Sequence, residues 1–129
     1  MARRRYKNEW IGVSLSGTLS QYDSLKGSSH LGLPVQIVAK HVSRWHSEGR
    51  QVRIFSPRAR DAWQVEMIHD WQHEHGLPIL EVTDIRDRYM LELWSSRAAR
   101  VEKNTGVILG EHPRKFPGEN GKRWTWMAP

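Results

Sequence analysis

The sequence predicts an α/β domain of the three-layer, Rossmann-like type, in which a parallel sheet carries helices on both faces. Short β-prone segments alternate with amphipathic segments at the spacing of strand–helix–strand units. This alternation favours a parallel sheet covered by helices, and the right-handed crossover rule then makes it a three-layer domain. The chain has 129 residues, 38% of them hydrophobic and 26% charged, which suits a single globular core of ordinary size.

The first strand and the first helix are predicted from a β-prone run and an apolar stripe. Residues 10–14, Trp-Ile-Gly-Val-Ser, end at a Gly-Thr turn and form the strand. The polar residues 19–33 are predicted to form a long loop or flap. Pro34 suits the first turn of a helix and Gly49 its end. The stripe has the spacing i, i+4, i+7 and consists of Val38, Val42 and Trp45.

The later elements follow the same alternation. Residues 51–56 form a second strand that stops at Pro57, and residues 61–75 form a second helix that ends at Gly76. One face of this helix carries Ala62, Val65, Ile68 and Trp71 or Gln72. Three further strands are predicted at residues 79–82, 90–94 and 99–101.

Three serines end predicted strands, and this suggests where a site lies. Ser14, Ser56 and Ser95 stand at the ends of the first, second and fourth strands. Sites in open α/β sheets form beyond the carboxyl ends of the strands. We therefore expect these three side chains to meet at one edge of the sheet.

Two regions are predicted along the chain. Residues 1–103 form the α/β domain, and residues 104–129, rich in Gly and Pro, form an extension that is loosely structured or an arm packed on the domain. The alternating Trp124-Thr125-Trp126 within the extension suits such a packed arm, and a partner-binding motif is the alternative.

Two segments resemble the first and last motifs of a known family once four serines are replaced by Asp. Residues 11–19, I-G-V-S-L-S-G-T-L, and residues 93–98, L-W-S-S-R-A, then contain V-D-L-D-G-T and W-D-D-R-A. These resemble motifs of the haloacid dehalogenase-like (HAD) phosphohydrolases. Residues 53–58 are similar to the second motif and residues 83–87 to the third. The resemblance covers about residues 9–106, and because no insertion is long enough for a cap domain, it implies a capless HAD-like member.

The resemblance implies a phosphatase site without its acids. Ser14 and Ser16 occupy the positions of the nucleophilic and acid/base Asp, and Ser95 and Ser96 those of the last-motif acids. Together these four are the family's magnesium positions. A hydroxyl is a poor Mg²⁺ ligand without carboxylates beside it. The resemblance thus implies an inactive form of a magnesium-dependent phosphomonoesterase that holds no metal, either a natural pseudoenzyme or a deliberately inactivated variant.

Phosphate recognition is the function that the resemblance leaves in place. In the family, phosphate meets backbone N–H groups after the first strand, a hydroxyl and a cation. The corresponding positions here are Leu15, Gly17, Thr18, Ser56 and Arg86. The first alternative function is therefore a module that binds a phosphorylated small molecule or a nucleotide. Structural roles compete with this interpretation: Ser56 ends a strand, and Arg86 has acidic neighbours in Asp84 and Asp87.

Charge gives a second alternative, which is nucleic-acid binding. The net charge is +6, and Arg3-Arg4-Arg5 forms a basic cluster. With four Asp restored, however, 20 basic residues would face 18 acids, which leaves +2. The sequence predicts neither a membrane span nor an export signal. The absence of cysteine suits a reducing compartment, so a cytoplasmic location is expected.

Two further residue groups are weighed as sites. His69 and His73 lie four residues apart on the second predicted helix, but no Glu follows His69 as in the metalloprotease pattern. We therefore expect a solvated helix face there. The three tryptophans on helical stripes are expected to lie in the core and not to stack on nucleobases; they are Trp45, Trp63 and Trp71.

Overall fold

The computed structural model describes residues 8–27 and 29–110. Its helices and strands are β1 (Trp10–Ser14), α1 (Gln36–Ser47), β2 (Gln51–Phe55), α2 (Ala62–Glu74), β3 (Glu81–Thr83), β4 (Met90–Trp94), β5 (Arg100–Val101) and β6 (Ile108–Leu109). Two 3-10 turns are also present, at Ser24–Lys26 and Pro57–Arg60. The predicted elements are confirmed with boundaries within two residues, whereas β6 lies in the extension and was not predicted.

Contacts group the chain into two units, residues 1–95 and residues 96–129. The first unit contains β1 to β4 and both helices. In the described part of the second unit, β5 and β6 pair antiparallel, and the turn between them includes Asn104 at a positive φ of 71°. Asn tolerates this left-handed conformation better than most residues. The predicted boundary between residues 103 and 104 stays a prediction.

The sheet of the first unit is parallel throughout. Its strand order is β3-β2-β1-β4, with β1 paired to both β2 and β4. The chain moves one way across the sheet from β1 to β3 and then returns to the far side of β1. The prediction of a parallel α/β sheet with helices is confirmed, and the strand order reverses between β1 and β4.

The core lies between the sheet and both helices. Alternate strand residues, which point to one face, contribute Ile11 and Val13 from β1 and Val52 and Ile54 from β2. The helices cover them with Val42, Trp45, Ile68 and Trp71. The predicted stripes are therefore confirmed at these positions. The prediction for Trp63 is wrong: its side chain is 55% exposed, so it lies on the solvent face of α2.

The opposite face of the sheet carries no helix in the described residues, so the predicted helices on both faces are not found there. Instead, residues 84–89 connect β3 to β4 across this face. To connect β3 with β4, these residues must cross β2 and β1, a distance of three strand spacings of about 4.8 Å each. Six extended residues reach about 20 Å, whereas six helical residues span only about 9 Å. A helix of this length could not make the crossing.

A polar contact anchors this connection to the sheet. Trp10, only 1% exposed, donates its indole N–H to Asp87 Oδ1 at 2.8 Å. Arg53 Nη1 lies 3.9 Å from Asp87 Oδ2, and the Arg53 guanidinium carbon lies 4.6 Å from the centre of the Trp10 ring. The indole hydrogen bond, helped by backbone N–H groups and Arg53, lowers the pKa of Asp87.

The lowered pKa of Asp87 predicts a pH dependence of stability. Because the folded-state pKa lies below the unfolded value of about 4, the stabilisation is complete above that value and is lost as the pH falls through the folded pKa. We expect the difference in unfolding free energy between the native protein and Asp87→Asn to narrow from about pH 6 to about pH 3. Urea denaturation measures it, and a difference that stays constant or widens on acidification would contradict the assignment.

Candidate functional site

Two of the serines lie where the strand order reverses. Ser14 is the last residue of β1, and Ser95 directly follows β4. Their preceding residues, Val13 and Trp94, are Cα partners across the two strands. Ser14 and Ser95 therefore stand side by side at neighbouring strand ends, where ligands bind in open α/β sheets. Ser96 is exposed and is the first residue of the second unit.

We call the carboxyl ends of β1 to β4 and the residues that follow them the rim. After β1, the chain closes a tight turn in which the carbonyl oxygen of Leu15 accepts from the N–H groups of Leu19, at 3.0 Å, and Ser20, at 2.8 Å. Gly17 has a φ of 81°, a conformation in which a Cβ costs about 1–2 kcal/mol. This explains why glycine occupies the position.

The turn uses two of the amides that the sequence assigned to phosphate. Gly17 N–H donates to the carbonyl oxygen of Ser20 at 2.8 Å, and Thr18 N–H donates to that of Leu15 at 3.3 Å. A phosphate at these amides would have to compete with hydrogen bonds inside the turn. Ser16, between Leu15 and Gly17, is half-buried, and its Oγ accepts a hydrogen bond from Arg58.

Ser56 organises the chain after β2. It is 5% exposed, its N–H donates to the carbonyl oxygen of Thr83 at 2.9 Å, and its Oγ accepts from Arg58 N–H at 3.2 Å. Ser56 is thus the N-cap of the 3-10 turn Pro57–Arg60. Ser56 thus has the structural role of ending a strand that the sequence suggested. The turn that it caps also contains Arg58, whose side chain lies at the rim.

Arg58 is the cation that contacts a motif serine. Its Nη2 donates to Ser16 Oγ at 3.2 Å and to the carbonyl oxygen of His30 at 3.0 Å. Burial lowers the pKa of the guanidinium, which nevertheless stays charged at neutral pH. Within the described residues no carboxylate lies within ion-pair distance of Arg58. No role was predicted for Arg58, although its place two residues beyond the end of the predicted strand 51–56 was a usable signal.

Arg86 also lies at the rim, but in a more exposed place. Its guanidinium carbon is 5.9 Å from the centre of the Phe55 ring. Phe55 ends β2 and is the Cα partner of Ser14, so Arg86 covers the strand end next to the first serine. A cation over an aromatic ring at this distance is attracted by the ring's negative face.

The acidic neighbours of Arg86 have other partners. Asp84 Oδ2 accepts from Arg60 Nε at 2.7 Å, and Asp87 accepts from the Trp10 indole. The pairing of Arg86 with these aspartates, considered from the sequence, does not occur among the described ion pairs.

The residues at the magnesium positions do not fit that ion. Ser14, Ser16 and Ser95 offer only neutral hydroxyls, whereas Mg²⁺ prefers carboxylate and other oxygen ligands in near-octahedral geometry. Ser16 Oγ, moreover, accepts a hydrogen bond from a cation. In the part of the chain that the structure describes, no group of three or more His, Cys, Asp or Glu residues could hold a metal.

His69, one member of the histidine pair on α2, contacts the backbone before β3. Its Nε2 lies 3.0 Å from the carbonyl oxygen of Leu80, which can only accept, so Nε2 carries the proton and donates. That nitrogen is therefore occupied. His73 is exposed in the last turn of α2, as expected for a solvated helix face.

Residues 19–33 form the predicted flap, and its base is fixed by hydrogen bonds. Gln21 N–H donates to the carbonyl oxygen of Leu33 at 2.9 Å, and Gly32 N–H donates to Ser20 Oγ at 2.9 Å. The Trp71 indole donates to the carbonyl oxygen of Gly32 at 2.7 Å. Residues 22–31, which we call the flap tip and which are described except for residue 28, lie between these anchors in sequence, and Leu31 packs against the core.

The sequence singled out two motifs that lie outside the described residues, Arg3-Arg4-Arg5 and Trp124-Thr125-Trp126. In the described part of the chain, no helix is long and apolar enough to cross a membrane. Comparison of the chain with family models, curated proteins and solved structures finds no match. The case for a function therefore depends on the residues of the rim.

Proposed function

We propose that the chain is a catalytically inactive relative of the HAD phosphohydrolases, with their Rossmann-like fold and without a cap domain. One observation carries the proposal: Ser14 and Ser95 stand at neighbouring strand ends where the strand order reverses. In the resemblance, these are the positions of the nucleophile and a metal acid. A parallel sheet with order β3-β2-β1-β4 supports the motif assignment, because it brings the first and fourth motifs together.

The inactivity follows from the chemistry of the side chains at the rim. Phosphoryl transfer through an aspartyl-phosphate needs a carboxylate nucleophile, and Ser14 offers a hydroxyl that requires an adjacent base. Ser16 stands at the acid/base position, where its Oγ accepts from Arg58. A guanidinium cannot take up a proton, so Arg58 cannot activate a serine as a general base.

A second candidate function, metal-independent binding of a phosphorylated small molecule or nucleotide, is favoured by Arg58. This partly buried cation has two neutral oxygen partners, Ser16 Oγ and the carbonyl oxygen of His30. Hydrogen bonds from a cation to an anionic oxygen are stronger than those to a neutral one. Phosphate at the rim would thus satisfy the Arg58 charge, with Arg86 as a second, more exposed cation.

The two parts of the proposal have separate tests. We expect turnover of a generic phosphate monoester in Mg²⁺ to equal the buffer blank, because both motif-one carboxylates are absent. We expect inorganic phosphate to shift the NMR amide signals of Ser16, Gly17 and Ser56, with a Kd on the order of millimolar, or about −4 kcal/mol.

Two arginines of one turn provide the matched control for phosphate binding. Arg58→Gln should abolish the shifts, whereas Arg60→Gln, which removes a cation that pairs with Asp84 instead, should retain them. Magnesium-dependent turnover clearly above the blank would contradict the inactive assignment. Signals of Ser16 and Gly17 that stay in place at high phosphate would contradict the binding assignment.

A further inference from the structure

The two helices cover the same face of the sheet and expose side chains of opposite charge. Because the connections from β1 to β2 and from β2 to β3 both cross that face, α1 and α2 lie side by side and run in the same direction. The exposed side of α1 carries Lys40 and Arg44, and the helix contains no acid. The exposed side of α2 carries Glu66, Asp70 and Glu74, and this helix contains neither Lys nor Arg. The outer surface of the two helices is therefore positive on one half and negative on the other.

These charges are not neutralised within the described part of the chain. All five side chains are exposed, and none of them belongs to an ion pair among the described residues. Arg44 Nη2 lies 2.8 Å from His41 Nδ1, which must accept the hydrogen bond because a guanidinium can only donate. An oppositely charged surface from another molecule would thus meet no competing ion-pair partner among these residues.

Large apolar side chains are exposed on the same surface. Ile37 of α1 is 72% exposed, and Trp63 and Met67 of α2 are 55% and 40% exposed. Covering such side chains removes apolar area from water, which favours a protein as the partner. A nucleic acid on this surface would be attracted to α1 and repelled by the acids of α2 beside it.

The exposed side chains have the same spacing in both helices, and this indicates which protein fits. Three positions in each helix, counted from the helix start, match one another and form one stripe at i, i+3 and i+7. These positions are Ile37, Lys40 and Arg44 in α1 and Trp63, Glu66 and Asp70 in α2. A second copy of the chain therefore offers each helix a stripe of equal spacing and opposite charge.

We propose that the exposed sides of α1 and α2, which we call the helix surface, bind a second copy of the chain about a twofold axis parallel to the helices. This axis places α1 of each copy on α2 of the other, so that Lys40 and Arg44 of one copy meet Glu66 and Asp70 of the other, twice per dimer. A twofold axis perpendicular to the helices would place α1 on α1 and α2 on α2, and would oppose like charges. The charge pattern thus selects the first arrangement.

Sedimentation equilibrium of the full chain tests whether the dimer forms. We expect a reversible dimer with a Kd on the order of 100 µM, because exposed ion pairs each contribute little. Added sodium chloride should weaken it, since exposed charges are screened. A dimer of this strength is dissociated at the low micromolar concentrations of unfolding measurements. A native chain that stays monomeric at about 1 mM, roughly ten times the expected Kd, would overturn the proposal.

Two charge-reversed variants test the arrangement. Lys40→Glu with Arg44→Glu makes α1 negative, and Glu66→Lys with Asp70→Lys makes α2 positive. Either variant alone should raise the Kd about tenfold or more, because attractive contacts become repulsive at both copies of the contact. An equimolar mixture of the two variants should dimerise again, and so should the chain with all four substitutions, which keeps the native net charge.

The matched control is Lys26→Glu with Arg88→Glu, which changes the net charge as the α1 variant does but lies outside both helices. It should dimerise like the native protein, and an equal loss in this control would overturn the assignment to the helix surface. Circular dichroism establishes that each variant folds. If the reversed α1 does not fold, Lys40→Gln with Arg44→Gln should still weaken the dimer. Native affinity in either α1 variant, or a mixture that stays monomeric, would overturn the proposal.

Discussion

Replacing Ser14, Ser16 and Ser95 with Asp is expected to lower the free energy of unfolding by about 1–3 kcal/mol in the presence of a chelator. Ser14 and Ser95 lie at neighbouring strand ends, so their carboxylates would repel each other. The Asp at position 16 would face Arg58, which can offset one of the three new charges. Addition of Mg²⁺ should restore the lost stability, because only the folded Asp variant binds the ion at this site.

Thermal melting in chelator and in excess Mg²⁺ measures both effects. The matched control replaces the same three serines with Asn, which has nearly the size of Asp but no charge. The Asn variant should show no response to Mg²⁺, and its stability separates side-chain size from charge repulsion. If the Asp variant melts above the native protein in chelator, the three positions do not form a cluster and the assignment of the site is wrong.

Trp10→Ala is expected to lower the free energy of unfolding by about 3–5 kcal/mol. The Trp10 side chain is 1% exposed and lies on the sheet face that residues 84–89 cross. Truncation would leave a cavity next to Gly12, where an added Cβ would lie 3.3 Å from the Trp10 ring, and would remove the indole donor from Asp87. Urea denaturation with the native protein as reference gives the difference.

Trp63 is the control residue for this change, because its side chain is 55% exposed on α2. Trp63→Ala should change the stability by no more than about 0.5 kcal/mol. Equal losses for Trp10→Ala and Trp63→Ala would show that the covered face contributes nothing beyond ordinary surface packing.

Much of the fold could be predicted because local patterns determine it. The run of residues 10–14 and the stripe of Val42 and Trp45 follow the strand and helix periods, and β1 and α1 formed where these patterns stand. The alternation of elements also predicted the parallel sheet. The prediction that Trp63 lies in the core was wrong. Its position near the apolar stripe of α2 does not show whether the side chain faces the sheet or the solvent.

The other differences between the predicted and the observed structure come from contacts between residues far apart in the sequence. Helices on both faces were expected from the general pattern of such sheets, but the direct crossing by residues 84–89 depends on strand order, which single segments do not encode. The contact of Arg58 with Ser16 joins residues 42 positions apart. The sequence instead favoured Arg86, which lies over Phe55, because the family pattern places a cation in the third motif.

We propose that the rim is a phosphatase-type site whose acids have been replaced by serines. Isothermal calorimetry of Mg²⁺ binding to the variant with Asp at positions 14, 16 and 95 tests it most directly, with the native protein and the Asn variant titrated in parallel. We predict saturable binding of one Mg²⁺ at millimolar metal by the Asp variant and none by the other two. A folded Asp variant that takes up no Mg²⁺ would contradict the claim.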